Sequence, residues 1–216
     1  MALLHQLEQS QWFSSEEISS QQYAQMGLLA EYAAKHSPGF AKRLQQAALQ
    51  PHQLATAQGF KRLPVLTRRD IQQAGPALHC TVAPRSHLPV GEVKTSGSTG
   101  EPVVVKKSAV SNLLWMAMTI RDHFWHRRDF SQRLTAIRAN ATRFGEFSNW
   151  GPPVNLLFPT GASQIINITT DIKEQIRLIR AFQPHDILVY PSNLAGILAE
   201  CKNQGQPITG VAHLRT

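Results

Sequence analysis

Lys94-Thr95-Ser96-Gly97-Ser98-Thr99-Gly100-Glu101-Pro102, followed by Val103-Val104-Val105-Lys106-Lys107, is the stretch on which the reading of this chain turns. Two glycines allow the backbone to take positive φ and to approach a ligand closely. Successive N–H groups in such a turn form a concave nest for an anion. The hydroxyls of Ser96, Ser98 and Thr99 add rotatable donors. A hydrogen bond to a charged acceptor contributes about 1.5–3 kcal/mol, so several together could hold a polyphosphate. Two residues separate Gly97 from Gly100, and Glu101 follows. The Walker A spacing, with four residues between glycines and then Lys-Ser/Thr, is therefore absent, as is G-x-G-x-x-G. On composition alone, a Gly/Ser turn joining two strands explains the stretch equally well.

The flanks specify the context. Val90 to Thr95 is expected to be a strand entering the loop, and Pro102 to Lys107 a strand leaving it. A strand after the loop leaves anion binding to amides and hydroxyls, without a helix dipole. Ser108 is then expected to cap a long helix to about Arg128, with Val110, Leu113, Leu114, Ala117, Ile120, Phe124 and Trp125 forming a core-facing stripe. His123 and His126 stand three apart near its end, but no third metal ligand accompanies them. No metal ligand set is read in the sequence.

Upstream, a helix is expected from about Ser19 or Ser20 to Lys35, ended by His36-Ser37-Pro38, with another short helix from Phe40. Thr67 suits an N-cap for a helix from Arg68. Downstream, Leu134–Ala139, Val154–Phe158, Gln164–Ile168, Asp186–Tyr190 and a segment from Ile208 read as strands. Between them, Asp171 with Glu174 suggests a capping box, and Ser192 a further cap, with Gly205 ending that helix. Alternating strands and helices imply βαβ units. The fold class expected is α/β: a mostly parallel sheet flanked by helices, preceded by an N-terminal helical region, with 1–83 helical and 84–216 holding the loop and sheet. Cys201 lies on an inner helix face and reads as core.

The chain has 216 residues, 22 Lys plus Arg and 14 Asp plus Glu, hence 22 − 14 = +8. Such a balance favours anionic partners, but the cations are scattered in pairs such as Lys61-Arg62 and Arg127-Arg128, so no nucleic-acid arm is read. No apolar run reaches the roughly 18 residues of a membrane span, and the N-terminus lacks a signal-peptide pattern. Two isolated cysteines fit a cytoplasmic protein.

Thr95-Ser96-Gly97-Ser98-Thr99-Gly100-Glu101-Pro102 resembles the phosphate-loop signature of the adenylate-forming enzymes, the acyl-CoA synthetase and ligase superfamily. Leu63-Pro64-Val65-Leu66-Thr67-Arg68-Arg69-Asp70-Ile71 and Ser37-Pro38-Gly39-Phe40 with Arg43-Leu44 are similar to the phenylacetate–CoA ligase branch, and Phe182 to Ser192 resembles the superfamily. The resemblance implies ATP, Mg2+ and CoA as cofactors and an aromatic or acyl carboxylic acid as substrate, with a homodimer as one expected assembly. It implies that Thr95, Ser96, Gly97, Ser98, Thr99 and Gly100 grip the β- and γ-phosphates, with Lys106 or Lys107 as charge partner. Phe144, Phe147 and Trp150, in the loop after the strand at 134–139, would line the acyl pocket. Relatives often carry Lys beside the Pro, where this chain has Glu101. The resemblance covers an N-terminal part only. The segments expected to hold Mg2+, the ribose and the catalytic Lys are not found, so these 216 residues alone are expected to be inactive. The alternative is a non-catalytic binding or assembly module that retains the fold.

Overall fold

A computed structural model describes residues 1–94, 102–139 and 141–216. These form two compact units, Met1–Ala117 and Met118–Thr216, with the boundary inside one helix.

The first unit begins with α1 (Ala2–Ser10), α2 (Ser15–His36) and α3 (Pro38–Gln46). Helix α2 starts four residues before the expected Ser19, because Ser14 and Glu17 make a capping box: Glu17 N–H donates to Ser14 Oγ (3.2 Å) and Ser14 N–H to Glu17 Oε2 (2.8 Å). The Ser-x-x-Glu spacing was the available signal. Pro38 sits in the first turn of α3, where its missing N–H costs nothing. Ala30, Leu44, Leu49 and Leu54 form this unit's small core. It requires α2 to lie close to the 3-10 turn Pro51–Ala55, since a Cβ on Gly27 would stand 2.9 Å from that of Ala55. Then come α4 (Ala57–Arg62) and α5 (Arg68–Ala74), the latter capped by Thr67 as expected, with Asp70 completing the box. Strands β1 (Val90–Lys94) and β2 (Val104–Ser108) pair antiparallel, from Val90↔Ser108 to Lys94↔Val104.

Helix α6 (Ala109–Trp125) starts where Ser108 Oγ accepts from Ser111 N–H at 3.2 Å. The expected broad core stripe is narrower than its sequence suggests. Ala117 and Ile120 are buried, whereas Leu113, Leu114, Phe124 and Trp125 are 41–55% exposed. Cations cover some of the apolar surface instead: Lys107 lies 4.8 Å from the Trp115 ring centre and Arg121 4.1 Å from that of Trp125.

In the second unit, β3 (Leu134–Arg138), β4 (Gly145–Phe147), β5 (Ser163–Asn167), β6 (Asp186–Leu188) and β7 (His213–Arg215) form one sheet in the order β4-β5-β3-β6-β7. The β3–β5, β3–β6 and β6–β7 pairs are parallel, and only the edge strand β4 runs antiparallel. The expected mostly parallel α/β sheet is the sheet observed. Helices α7 (Ile172–Phe182) and α8 (Pro191–Gln204) supply Ile176, Ile179, Ile197 and Cys201 to a core with Ile137, Ile166, Ile187 and Val189. Burying such aliphatic side chains contributes about 1.5–3 kcal/mol each.

Four local expectations are corrected. The strand expected from Ile208 begins only at His213. Val154–Phe158 is not a strand: Val154–Leu156 is a 3-10 turn, with Leu157 and Phe158 N–H groups both turned back to Val154 O. Pro152-Pro153 ahead of it offer no N–H to a ladder, and a short apolar run does not distinguish strand from helix. At α7, Asp171 accepts from Lys173 N–H, while Glu174 turns outward to a two-pronged pair with Arg177 (2.7 and 2.6 Å), so the capping box is not made. At α8, Tyr190 holds the cap position and Pro191 opens the helix, so Ser192 is already inside it. Its end is as expected, with Gly205 left-handed at φ 64°. Among the described residues no helix is long and apolar enough to cross a membrane.

Candidate functional site

Thr95, Ser96, Gly97, Ser98, Thr99 and Gly100 lie outside the described residues. Their frame is described. The last ladder pair, Lys94↔Val104, fixes where the segment leaves and rejoins the β1–β2 ribbon. Lys106 stands directly across the ladder from Glu92, and its ammonium group is paired with that carboxylate. This hydrogen bond, with the charge of Lys106, holds the Glu92 carboxyl below its ordinary range. Glu92 is the one carboxylate on the two strands, and it already has this cation, so the ribbon's described residues supply no oxygen cage of the kind Mg2+ takes.

In the second unit, parallel register aligns the strand ends. Arg138 pairs with Asn167 across β3–β5, and Leu188 with Arg215 across β6–β7, so the carboxyl edge of the sheet carries Arg138, Asn167, Arg215 and, just beyond β6, Tyr190. Parallel α/β sheets take their ligands at this edge. The sequence reading singled out none of these four, because their grouping arises only from strand order.

The aromatic loop residues are placed separately. Phe144 is exposed, and Phe147, on the edge strand β4, is half-buried with Arg143 5.4 Å from its ring centre. Trp150 serves packing. Its indole N–H donates to Gln132 O at 2.8 Å, and its ring meets Phe130 (5.7 Å) and His123 (5.6 Å).

His123 is buried in that cluster, edge-on to Phe130. Arg128 Nη1 lies 3.2 Å from His123 Nδ1 and also donates to Asp122 Oδ2 at 2.8 Å. A guanidinium can only donate, so Nδ1 keeps its lone pair and the ring is neutral. Burial, and then the charges of Arg128 and Arg215, push the His123 pKa down to about 4. Burial alone would raise the Asp122 carboxyl, but the Arg128 hydrogen bond and the Arg215 and Arg128 charges outweigh it, and its pKa is lowered. The unfolded chain binds the His123 proton below pH ~6.5 and the folded chain only near 4. The stabilisation is therefore complete above about pH 6.5 and is lost as pH falls toward 4, by about 3 kcal/mol from this residue. Urea unfolding of wild type across that range should show the loss, and His123→Phe should remove that part of the slope. An unchanged slope would place His123 in water.

No protein-family model matches the sequence, and no curated protein matches it. Among solved structures, the chain is similar to 2-hydroxyisobutyryl-CoA ligase in several states. With that enzyme bound to 2-HIB-AMP and CoA in the thioesterification state, 94% of this chain aligns with 43% of the ligase at 18% identity and a TM-score of 0.66. With the postadenylation state bound to 2-HIB-AMP, the coverage is the same, at 16% identity and a TM-score of 0.69. An open form with 2-HIB-AMP and CoA aligns over 94% and 47% of the two chains, at 16% identity and a TM-score of 0.65. The chain thus spans less than half the length of that ligase, and its α/β architecture is similar to that of the part it aligns with.

Proposed function

We propose that this chain is the N-terminal part of an ATP-dependent, AMP-forming acid–thiol ligase. A carboxylate oxygen attacks the α-phosphorus of ATP, the bond to the β-phosphate oxygen breaks, and acyl-adenylate and pyrophosphate form. A thiol, which we take to be CoA, then attacks the acyl carbon, and AMP leaves. The observation that carries this reading is the fold likeness along 94% of the chain to a ligase held with its acyl-AMP and CoA. The Thr95–Pro102 sequence gives it a chemical focus, and the sequence motifs favour the phenylacetate–CoA ligase branch.

In this proposal the amides and hydroxyls of Thr95 to Gly100 grip the triphosphate tail, where preorganised donors stabilise the charge that shifts toward pyrophosphate. Lys106 supplies a cation beside them. Its pair with Glu92 is solvent-exposed, and such pairs contribute only ~0–1 kcal/mol, so phosphate can compete for it. Phe144 and Phe147 are assigned to the acyl side, while Trp150 anchors the loop that carries them. Carboxylate-dependent exchange of labelled pyrophosphate into ATP by the product of the complete reading frame tests the proposal. The panel should include aromatic acids and 2-hydroxyisobutyrate. Exchange with at least one acid is expected, and no exchange with any of a broad panel would overturn the reading.

A further inference from the structure

The opposite edge of the second unit's sheet carries a group the reaction above does not use. Strands β3, β5, β6 and β7 begin in register at Leu134, Ser163, Asp186 and His213. His185 precedes Asp186 on β6, so His185, Asp186 and His213 converge at the amino ends of two adjacent parallel strands. One ligating atom from each lies within 4.8 Å of the others. Asp186 Oδ2 is 3.2 Å from His185 Nδ1, and Asp186 Oδ1 is 3.1 Å from His213 Nδ1.

Two observations separate this cluster from an ordinary surface ion pair. The Asp186 side chain is 3% exposed, yet its Oδ1 and the Nδ1 of His213 have no hydrogen-bond partner although they lie side by side. Their approach is close but not aligned as donor and acceptor. Buried polar atoms left this way are costly. Two ligands of one tetrahedral ion, with bonds of about 2.0–2.2 Å, would stand roughly 3.3 Å apart without pointing at each other. The nitrogen–oxygen spacings of 3.2 and 3.1 Å match that arrangement, and with the three ligating atoms spanning up to 4.8 Å the part-exposed imidazoles would turn inward to close on an ion. The backbone also holds the residues in place: His185 and Asp186 N–H groups donate to Arg133 O at 2.9 and 3.2 Å, and His213 N–H donates to His185 O at 3.3 Å. Both imidazoles are about one-third exposed, which gives an ion a way in from solvent.

We infer that His185, Asp186 and His213 form a binding site for a divalent transition-metal ion, Zn2+ above all, that ties β6 to β7. Two imidazoles and a carboxylate are a donor set suited to Zn2+ and poorly suited to Mg2+ or Ca2+, which prefer all-oxygen shells. Three protein ligands leave a fourth position for water. Arg128 Nε, 3.8 Å from Asp186 Oδ1, opposes a cation there, but the guanidinium is also bonded to Asp122, which takes up part of its charge. The ion would link strands that are contiguous in the ladder. Its role is therefore structural, at the edge remote from the carboxyl ends of the strands.

The sequence shows little of this. His185-Asp186 and His213 are 27 positions apart, and only the parallel pairing of Asp186 with His213 brings them together.

The test is a calorimetric titration of the metal-stripped full chain with Zn2+, repeated with Co2+ followed by its visible absorption. One saturable equivalent is expected, with a rise in melting temperature. His185→Gln and His213→Gln, both partly exposed and checked for fold by circular dichroism, should each weaken binding by at least about 10–100-fold, the cost of losing even an outer partner. His5→Gln, in the other unit, should leave binding unchanged. The absence of a saturable equivalent, or equal affinity in the two histidine variants and wild type, would overturn the assignment. Neither outcome depends on ATP, so this result is separable from the fate of the ligase proposal.

Discussion

Replacing Arg128 by alanine is expected to lower the unfolding free energy by about 3–5 kcal/mol, the cost of leaving a buried charge without its partner. The side chain is 5% exposed, makes two hydrogen-bond contacts and lies near a third, buried carboxylate oxygen. It donates to Asp122 Oδ2 at 2.8 Å, meets the lone pair of His123 Nδ1 at 3.2 Å, and lies 3.8 Å from the buried Asp186 Oδ1. Without it Asp122 keeps Arg215 at 3.3 Å, but His123 loses its donor and Asp186 loses the guanidinium 3.8 Å from its Oδ1. Arg128→Lys should recover little, because an ammonium group on a flexible stem does not reproduce the planar fork. Urea unfolding at neutral pH, with the denaturant slope unchanged, measures the effect. A loss below about 1 kcal/mol, the scale of an exposed pair, would mean that solvent or the neighbouring histidines satisfy these groups without Arg128.

Gly97→Ala is expected to reduce acid-dependent pyrophosphate exchange by about 10²-fold or more, the range seen when one preorganised charge-stabilising donor is lost. A methyl group in a loop that must wrap phosphate closely blocks the approach and restricts the backbone to negative φ. Circular dichroism of the variant separates loss of the site from loss of the fold. Lys106→Ala should do less, since its ammonium group is exposed and shared with Glu92. Equal activity of Gly97→Ala and wild type would remove the loop from the site and favour a binding module that keeps the fold without the chemistry.

Much of the architecture was legible in the sequence because it rests on local periodicity. The alternation after residue 160 gave the parallel sheet, Gly205 marked a helix end, and Cys201 fell in the core as its spacing implied. The failures were places where proline or a cap decided between alternatives. Pro152-Pro153 turned the apolar run at 154–158 into a 3-10 turn, Pro191 displaced Ser192 as helix start, and Ser14 with Glu17 extended α2 backward. The edge strand Gly145–Phe147 was hidden in a loop because only three residues pair, and it is defined by its partner β5. Site chemistry was less legible than fold. A glycine- and hydroxyl-rich loop announces itself in a short stretch, whereas Arg138, Asn167, Tyr190 and Arg215, like His185, Asp186 and His213, are assembled by strand register. His123 was noticed for its spacing to His126, but what defines it is burial against Phe130 and Trp150.

Adenylyl transfer from ATP to a carboxylate is the reaction proposed for the complete protein. The most direct measurement incubates it with ATP, Mg2+ and an acid that supports exchange, omits the thiol, and identifies products by mass spectrometry. Acyl-adenylate bound to the protein and pyrophosphate released one for one are expected, with AMP and acyl thioester appearing once CoA is added. Formation of ADP and an acyl phosphate, or no acid-dependent consumption of ATP, would contradict it.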